Sequence, residues 1–309
     1  MRVFFNRVPR HEPYGGGSHF VTFMVNHLMK EGHEVVFDLV NGIDIIFLID
    51  PRPGDKGYSI NHALQYRQKF PQTKILYRVN ECDARKNTDF MDRIILDSIS
   101  VVDNTVFISQ WLKDYFIEKK GVGLENSSVI YNGCNLTSFF PENNKESSKL
   151  KLVTHHWSDN WLKGFDIYQA IDEHLEDNKD FEFTYVGRYS NLYTPKNTNL
   201  VSPLHGDKLG EELRKHDVYI TASRFEPCGM HHIEGACSGM PVLYHSDGGC
   251  IVEGCENHGE EFSSFEEFLV KLEKLSQNIQ SYKDKINYEY FSMDRCSSQF
   301  LDELIKMNK

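Results

Sequence analysis

Two glutamates, Glu226 and Glu234, flank the point where a helix is expected to begin, with seven residues between them. Cys228, Gly229 and Met230 fall at that helix start. Backbone N–H groups there lack intrahelical acceptors, and the peptide dipoles sum to a partial positive charge. Such a start binds phosphate, and Gly229, without a side chain, lets a ligand come close to the backbone. The two carboxylates are acceptors for sugar hydroxyls. Together these groups suit a ligand that carries phosphate and several hydroxyls. The plain alternative is an ordinary capped helix with one glutamate in solvent. Lys163, followed by Gly164 and another expected helix, is a further anion-binding candidate. An ammonium there can pair with an anionic ligand; its alternative is a surface lysine.

These residues need particular elements to position them. Residues 217–220 read as a strand, 223–229 as a loop and 230–238 as a helix. Gly239 ends that helix and Pro241 prevents its continuation. A short buried strand at 242–244 and a tight turn at 247–249 follow. Elsewhere, strand-like runs at 3–5, 34–39, 43–49, 74–79, 105–108, 129–131, 150–155, 181–186 and 218–221 alternate with helix-like stretches at 18–31, 61–70, 91–99, 111–119, 165–176, 207–215, 264–277 and 294–307. Alternation of this kind specifies α/β layers with parallel sheets. The first helix is expected to start at Ser18, as its N-cap, behind the glycines of residues 15–17. Those glycines occupy a strand-to-helix turn but do not match the G-x-G-x-x-G dinucleotide fingerprint. Residues 141–149 are polar and read as an interdomain linker.

Composition excludes several function classes. The chain has 309 residues, 40% hydrophobic and 26% charged, enough for two modest α/β domains. A net charge of −11 argues against nucleic acid as the main partner. The charge is uneven: residues 1–86 carry 12 Lys/Arg against 9 Asp/Glu, leaving 22 against 36 for the remainder. The mildly basic first portion suits an anionic acceptor or a membrane surface, or is simply solvated charge. No window approaches the roughly 20 apolar residues that a membrane span requires. The seven cysteines include no C-x-x-C pair and are read as reduced thiols. Cys250 and Cys255 near His245 and His258 have no common zinc spacing. No D-x-D triplet occurs to hold a divalent metal, and no metal is expected.

The string over residues 221–252 resembles the signature of retaining nucleotide-sugar glycosyltransferases, especially glycosyltransferase family 4. The family pattern is roughly S-x-x-E-x-x-G-x-x-x-x-E-A-x-x-x-G-x-P-V followed by G-G. Ser223, Glu226, Gly229, Glu234, Gly239, Pro241, Val242, Gly248 and Gly249 match it, with Ala236 one place later than the family alanine. The resemblance implies the GT-B fold, an α/β architecture of two Rossmann-like domains facing across a cleft. It places an acceptor-side domain at 1–145, ending near the Asn132-Gly133 turn, and a nucleotide-sugar-binding domain at 146–290. A closing helix at 291–309 then packs back on the first. By the same resemblance Glu226 approaches the donor sugar, Glu234 binds the ribose, Lys163 holds the diphosphate, and the glycine-rich turn, with Gly16 and Gly17, lies against donor phosphate and acceptor.

Two departures stand out. The family loop before the lysine carries an Arg, whereas here residues 155–163 read HHWSDNWLK. His156, Ser158 or Arg188 from the next loop are the candidates to replace it. Many members also carry a His where the strand at 74–79 ends. Asn80 is the positional match, able to hold a hydroxyl but not to act as a base, while Glu81 or Asp83 in the same loop is a candidate for the acceptor's base or an ordinary loop carboxylate. Retaining chemistry in this fold is usually thought to let the donor phosphate take the acceptor proton. The resemblance thus implies an enzyme with a nucleoside diphosphate sugar as donor substrate, no separate cofactor, a glycan or lipid-linked acceptor, and a cytoplasmic setting at or near the inner face of a membrane. A GT-B nucleotide-sugar epimerase and a non-catalytic sugar-nucleotide-binding partner subunit remain as alternatives.

Overall fold

The computed structural model describes residues 1–9, 16–121, 123–142 and 149–309. The chain forms two compact units, one of Met1–Asn132 with Met293–Lys309, the other of Gly133–Ser292.

The first unit contains β1 (Arg2–Phe5), α1 (Gly16–Lys30), β2 (Glu34–Val36), β3 (Ile45–Leu48), α2 (Ile60–Lys69), β4 (Lys74–Val79), α3 (Met91–Ile99), β5 (Asn104–Phe107), α4 (Gln110–Lys120) and β6 (Ser127–Val129). Its sheet runs β2-β1-β3-β4-β5-β6 with every pair parallel. All four residues of β3, Ile-Ile-Phe-Leu, are buried, as a parallel strand covered on both faces requires. The last helix of the chain, α11 (Met293–Met307), belongs to this unit. Its Phe300 ring lies 5.0 Å from Phe20 of α1 and 5.4 Å from Phe47 of β3, so an aromatic seam fastens it. Arg78 of β4 is 1% exposed; its guanidinium lies 4.0 Å from the centre of the Phe20 ring and donates to Asn132 Oδ1 at 2.7 Å. α1 begins at Gly16, so Gly16 and Gly17 form its first turn and Ser18 is a helical residue, not the N-cap expected of it. Gly15 lies outside the described residues.

The second unit contains β7 (Leu150–His156), a single 3₁₀ turn (Trp161–Lys163), α5 (Phe165–Asp177), β8 (Phe181–Gly187), β9 (Asn199–Val201), α6 (Gly206–Leu213), β10 (Val218–Thr221), α7 (Met230–Cys237), β11 (Val242–His245), α8 (Cys250–Cys255), β12 (Gly259–Phe262), α9 (Phe265–Ser276) and α10 (Ile279–Lys283). Its parallel sheet runs β12-β11-β10-β7-β8-β9. Counted within the unit this is the 3-2-1-4-5-6 order of doubly wound nucleotide-binding sheets. The order reverses between β7 and β10, and ligands of such sheets bind beyond the strand ends at that point. The core on one side of the sheet joins Leu152, Tyr168, Phe183 and Ile220 to Phe262 and Phe268.

Residues 133–142 pack on the second unit. Cys134 donates its N–H to Phe291 O (2.8 Å), Ser138 Oγ donates to Asp207 (2.6 Å), and Arg214 donates to Ser138 O (2.8 Å). The chain therefore joins this unit earlier than the 145/146 boundary expected from sequence, and it leaves at Ser292 rather than at residue 290. Of the expected linker at 141–149, residues 143–148 lie outside the described residues. β9, α8, β12 and α10 carry no clear sequence signal. β12 reads Gly-Glu-Glu-Phe, and its Glu260 is tied to Lys271 (3.4 Å) and Lys274 (2.5 Å). Among the described residues no helix is long and apolar enough to cross a membrane.

Candidate functional site

The loops that leave β7, β10 and β11 carry the site, and each is held by short-range devices that the sequence supplies. After β7, Asn160 caps the 3₁₀ turn by accepting from Leu162 N–H at 2.9 Å. Gly164 then takes φ +93°, a left-handed conformation that favours glycine. A Cβ on Gly164 would sit 2.2 Å from Ala222 Cβ, so the loops after β7 and β10 touch backbone to backbone here. Arg224 N–H donates to Leu162 O (2.9 Å), and its guanidinium makes two bonds to Asp166 of α5 (2.9 and 2.7 Å). Burial alone would raise the Asp166 carboxyl, but the Arg224 bonds and charge outweigh it and hold the group below its usual range.

The loop after β10 is also tied to the turn after β11. Phe225 N–H donates to Asp247 O (2.8 Å), Glu226 N–H to Gly248 O (3.3 Å), and Cys250 N–H to Glu226 O (3.0 Å). Phe225 takes φ +54°, a strained value for an aromatic residue, immediately before Glu226. Gly249 at φ 65°, ψ −126° occupies a region closed to side chains. The Gly248-Gly249 pair is thus the backbone that fixes Glu226.

Two of the residues singled out by type and spacing meet. Lys163 Nζ forms an ion pair with Glu226 Oε2 at the point where the strand order reverses. Glu226 is 3% exposed and Glu234 6%, so neither is a glutamate in solvent, and the plain alternative of a capped surface helix does not hold. Buried carboxylates require partners. Glu226 has Lys163, and Glu234, one turn into α7, receives His155 Nε2 at 2.8 Å. Gly229 precedes α7, and a Cβ there would meet the His231 ring at 2.6 Å and Glu226 Cγ at 2.8 Å. The first N–H groups of α7, with no acidic residue in its first turn, face this region of backbone. Cys228 and Met230, at the start of α7, are both buried. The Cys228 thiol lies against Cys250, whose own thiol is pushed up by burial and then by that neighbour.

Two further buried imidazoles, His156 and His231, lie close to this region, with ring centroids 4.8 Å apart. His156 Nε2 meets the Tyr168 hydroxyl at 2.8 Å and Thr154 Oγ1 at 3.2 Å, while His231 Nε2 meets Thr221 Oγ1 at 2.9 Å. Burial first, and then neighbouring charges that include Lys163, hold both rings well below the ordinary histidine range. His156, one of the candidates for the place of the family arginine, is therefore neutral at pH 7, with its Nε2 engaged by the Tyr168 hydroxyl. Ser158 Oγ accepts from Asn160 N–H (3.2 Å) and serves the loop. Arg188 is exposed and lies 4.1 Å over the Trp157 ring. Among the described residues, no cluster of three or more His, Cys, Asp or Glu side chains is arranged to hold a metal ion.

Asn80, Gly16 and Gly17 belong to the first unit. Asn80 is half-buried at the end of β4. Asp83 accepts from Met91 N–H (2.8 Å), Asp92 N–H (3.1 Å) and Thr88 Oγ1 (2.6 Å), so it caps α3 and is not placed as a base. Glu81 is paired with Arg85 (2.9 Å) and Lys86 (3.0 Å). Sequence reasoning missed His155, Tyr219 and Arg224. The one signal available was Gly235 standing where the family pattern has alanine: a Cβ there would strike the Tyr219 ring at 2.4 Å.

Comparison with solved structures finds the same architecture. The chain is similar to sucrose-phosphate synthase from Thermosynechococcus elongatus, with TM-score 0.74 and 11% identity over 99% of this chain and 98% of that one. It is similar to HepE from Anabaena in complex with UDP and glucose, with TM-score 0.73 and 13% identity over 99% and 100%. A glycosyltransferase from Rickettsia africae gives TM-score 0.69 and 16% identity over 100% and 98%. No protein-family model and no curated protein sequence matches the chain. The likeness is one of fold, and together with the two six-stranded parallel sheets and their flanking helices it shows that the chain has the GT-B fold of two Rossmann-like domains.

Proposed function

We propose that the chain is a glycosyltransferase of the family 4 type, moving a sugar from a nucleoside diphosphate sugar to a glycan, lipid-linked or other hydroxyl acceptor with retention at the anomeric carbon. The observation that carries this reading is the meeting of Lys163 and Glu226 where the second sheet reverses its strand order, at the start of α7. The diphosphate binds Lys163 and the first amides of α7. An ammonium has three donors, so Lys163 can keep Glu226 while it binds phosphate oxygen. Glu226 lies beside the transferred sugar and offsets the positive charge that grows there as the bond to phosphate breaks. Glu234 accepts the ribose hydroxyls. The departing phosphate takes the acceptor proton, and no protein base is required. The second unit is the donor domain and the first the acceptor domain, with Asn80 holding a hydroxyl and Gly16 and Gly17 approaching the substrates. Arg188 is the remaining cation for the second phosphate contact. The structure of HepE with UDP and glucose supports the donor class.

The test begins with a thermal-shift screen of UDP, GDP, ADP and dTDP sugars, since a ligand of the native state raises the melting temperature. With the responding donor, nucleoside diphosphate released only in the presence of acceptor, and an α-linked product from an α-linked donor, is the expected result. Release without transfer, or a changed sugar configuration in the free nucleotide sugar, would identify an epimerase or a hydrolytic side reaction. Binding without any turnover would leave a non-catalytic binding subunit. Transfer is expected to continue in EDTA, because no D-x-D triplet is present to hold a divalent ion on the diphosphate.

A further inference from the structure

We propose that His155 is a positioning residue for Glu234, held in a single tautomer by Tyr219, and that this buried relay sets recognition of the nucleotide ribose. The proposal rests on the donor-binding reading above and adds residues that lie outside the loop-helix motif.

The relay is specified atom by atom. Tyr219 is fully buried, and burial holds its phenol far above the usual range, so its hydroxyl keeps its proton. That oxygen accepts from the His155 backbone N–H at 3.2 Å. Its own hydrogen lies within reach of His155 Nδ1 at 3.1 Å and His155 O at 3.4 Å, beside the Thr154 hydroxyl, and of the two His155 atoms the ring nitrogen is the nearer. A neutral imidazole that accepts at Nδ1 carries its proton at Nε2. Nε2 stands 2.8 Å from Glu234 Oε2, which can only accept when ionised. In the neutral ring the direction is therefore Tyr219 to His155 to Glu234. One carboxylate oxygen is occupied by His155, and the other is left to face a diol.

The fold makes room for this relay at a cost in local sequence. Gly235 sits inside α7, where glycine is a poor helix former. A Cβ there would lie 2.4 Å from two atoms of the Tyr219 ring, so alanine displaces Tyr219 or the helix. The glycine in place of the motif's alanine, the tyrosine on β10 and the histidine at the end of β7 are thus three parts of one device. β7 and β10 are adjacent only because the strand order reverses between them.

Calorimetric titration with UDP, GDP and ADP, each beside its 2′-deoxy counterpart, tests the proposal on the full chain. The wild type is expected to bind one ribonucleotide and to discriminate against its deoxy form. His155→Ala is expected to weaken the ribonucleotide about tenfold, the scale of a lost bond to a charged group, while the deoxy form binds as before, so that discrimination collapses. His155→Gln, whose amide reaches the place of Nε2, restores most of it. Tyr219→Phe, which keeps the ring and loses only the hydroxyl, gives an intermediate loss and serves if His155→Ala fails to fold. Wild-type discrimination in His155→Ala or in Tyr219→Phe overturns the proposal, as does an equal loss for ribo and deoxy ligands. A wild type that binds nucleotide without discriminating overturns it while the donor reading stands. A wild type that binds no nucleoside diphosphate overturns both.

Discussion

Glu226 and Glu234 are both buried, yet they keep different partners, and their roles are separable for that reason. Glu226 shares its environment with the Lys163 cation, so its charge matters most where charge develops. Glu226→Gln keeps the shape and removes the charge; kcat should fall while free nucleoside diphosphate binds almost normally. A contact to ribose hydroxyls is nearly the same before and during reaction, and such uniform binding appears in KM rather than kcat. Glu234→Ala should therefore weaken donor and free nucleoside diphosphate alike. Kinetics and nucleotide titration on both variants decide the matter, and the opposite pattern would exchange the assignments. Lys163→Ala should lower turnover by roughly a hundredfold or more, as loss of a preorganised charge partner does. Turnover at the wild-type level in that variant would show that Lys163 serves only to neutralise Glu226.

At the scale of elements, the site is three loops fastened to one another by backbone. The contact of Gly164 with Ala222 ties the loop after β7 to the one after β10, and the bonds from Phe225, Glu226 and Cys250 tie the latter to the turn after β11. Gly164→Ala attacks the first tie in two ways. It places a side chain at φ +93° and drives a methyl into the Ala222 backbone. Overpacking of this kind costs about 1–3 kcal/mol, with the left-handed strain additional. Thermal unfolding should register the loss. Because Lys163 is the preceding residue, nucleotide affinity should drop with it, beyond what a melted fraction accounts for. A variant as stable and as tight-binding as the wild type would show that the loops adjust independently.

For the molecule as a whole, the buried imidazoles set how stability follows pH. Burial pushes His232 down to about 3 and His258 to about 4, and it holds His156 and His231 well below the ordinary range. In the unfolded chain a histidine titrates near 6.5. Between those values the unfolded chain takes up protons that the native state refuses. Stability is therefore fully present above about pH 6.5 and is lost progressively as pH falls toward 4. The hydrogen-bonded carboxylates Asp50, Asp166 and Asp172, held below their usual range with burial outweighed by their hydrogen bonds, add a second loss at lower pH. Chemical denaturation at a series of pH values should show unfolding free energy declining already between pH 6.5 and 4. His258→Leu should make that decline shallower. A flat profile over this window would contradict the neutral, buried state of these rings.

The sequence by itself determined the motif and most of the elements, though not β9, α8, β12 or α10. Spacing along one stretch of chain carries that information: the strand 218–221, the stop at Gly239, the turn at 247–249 and the glutamates with seven residues between them are all local patterns. They were enough to identify the α/β class, and Lys163 and Glu226 as residues to watch. The tertiary structure alone decided who meets whom. Lys163 and Glu226 are 63 positions apart, Asp166 and Arg224 58, His155 and Glu234 79. Each pair joins β7 or the segment that follows it to β10 or the loop and helix that follow that strand. Nothing in a local pattern states that the first and fourth strands of the unit are neighbours. For the same reason His156 looked available for a phosphate and Asp83 available as a base, until packing showed one hydrogen-bonded to Tyr168 and the other to the first amides of α3. A side chain's charge and its free lone pairs depend on burial and on partners distant in sequence, and those exist only once the sheet has assembled.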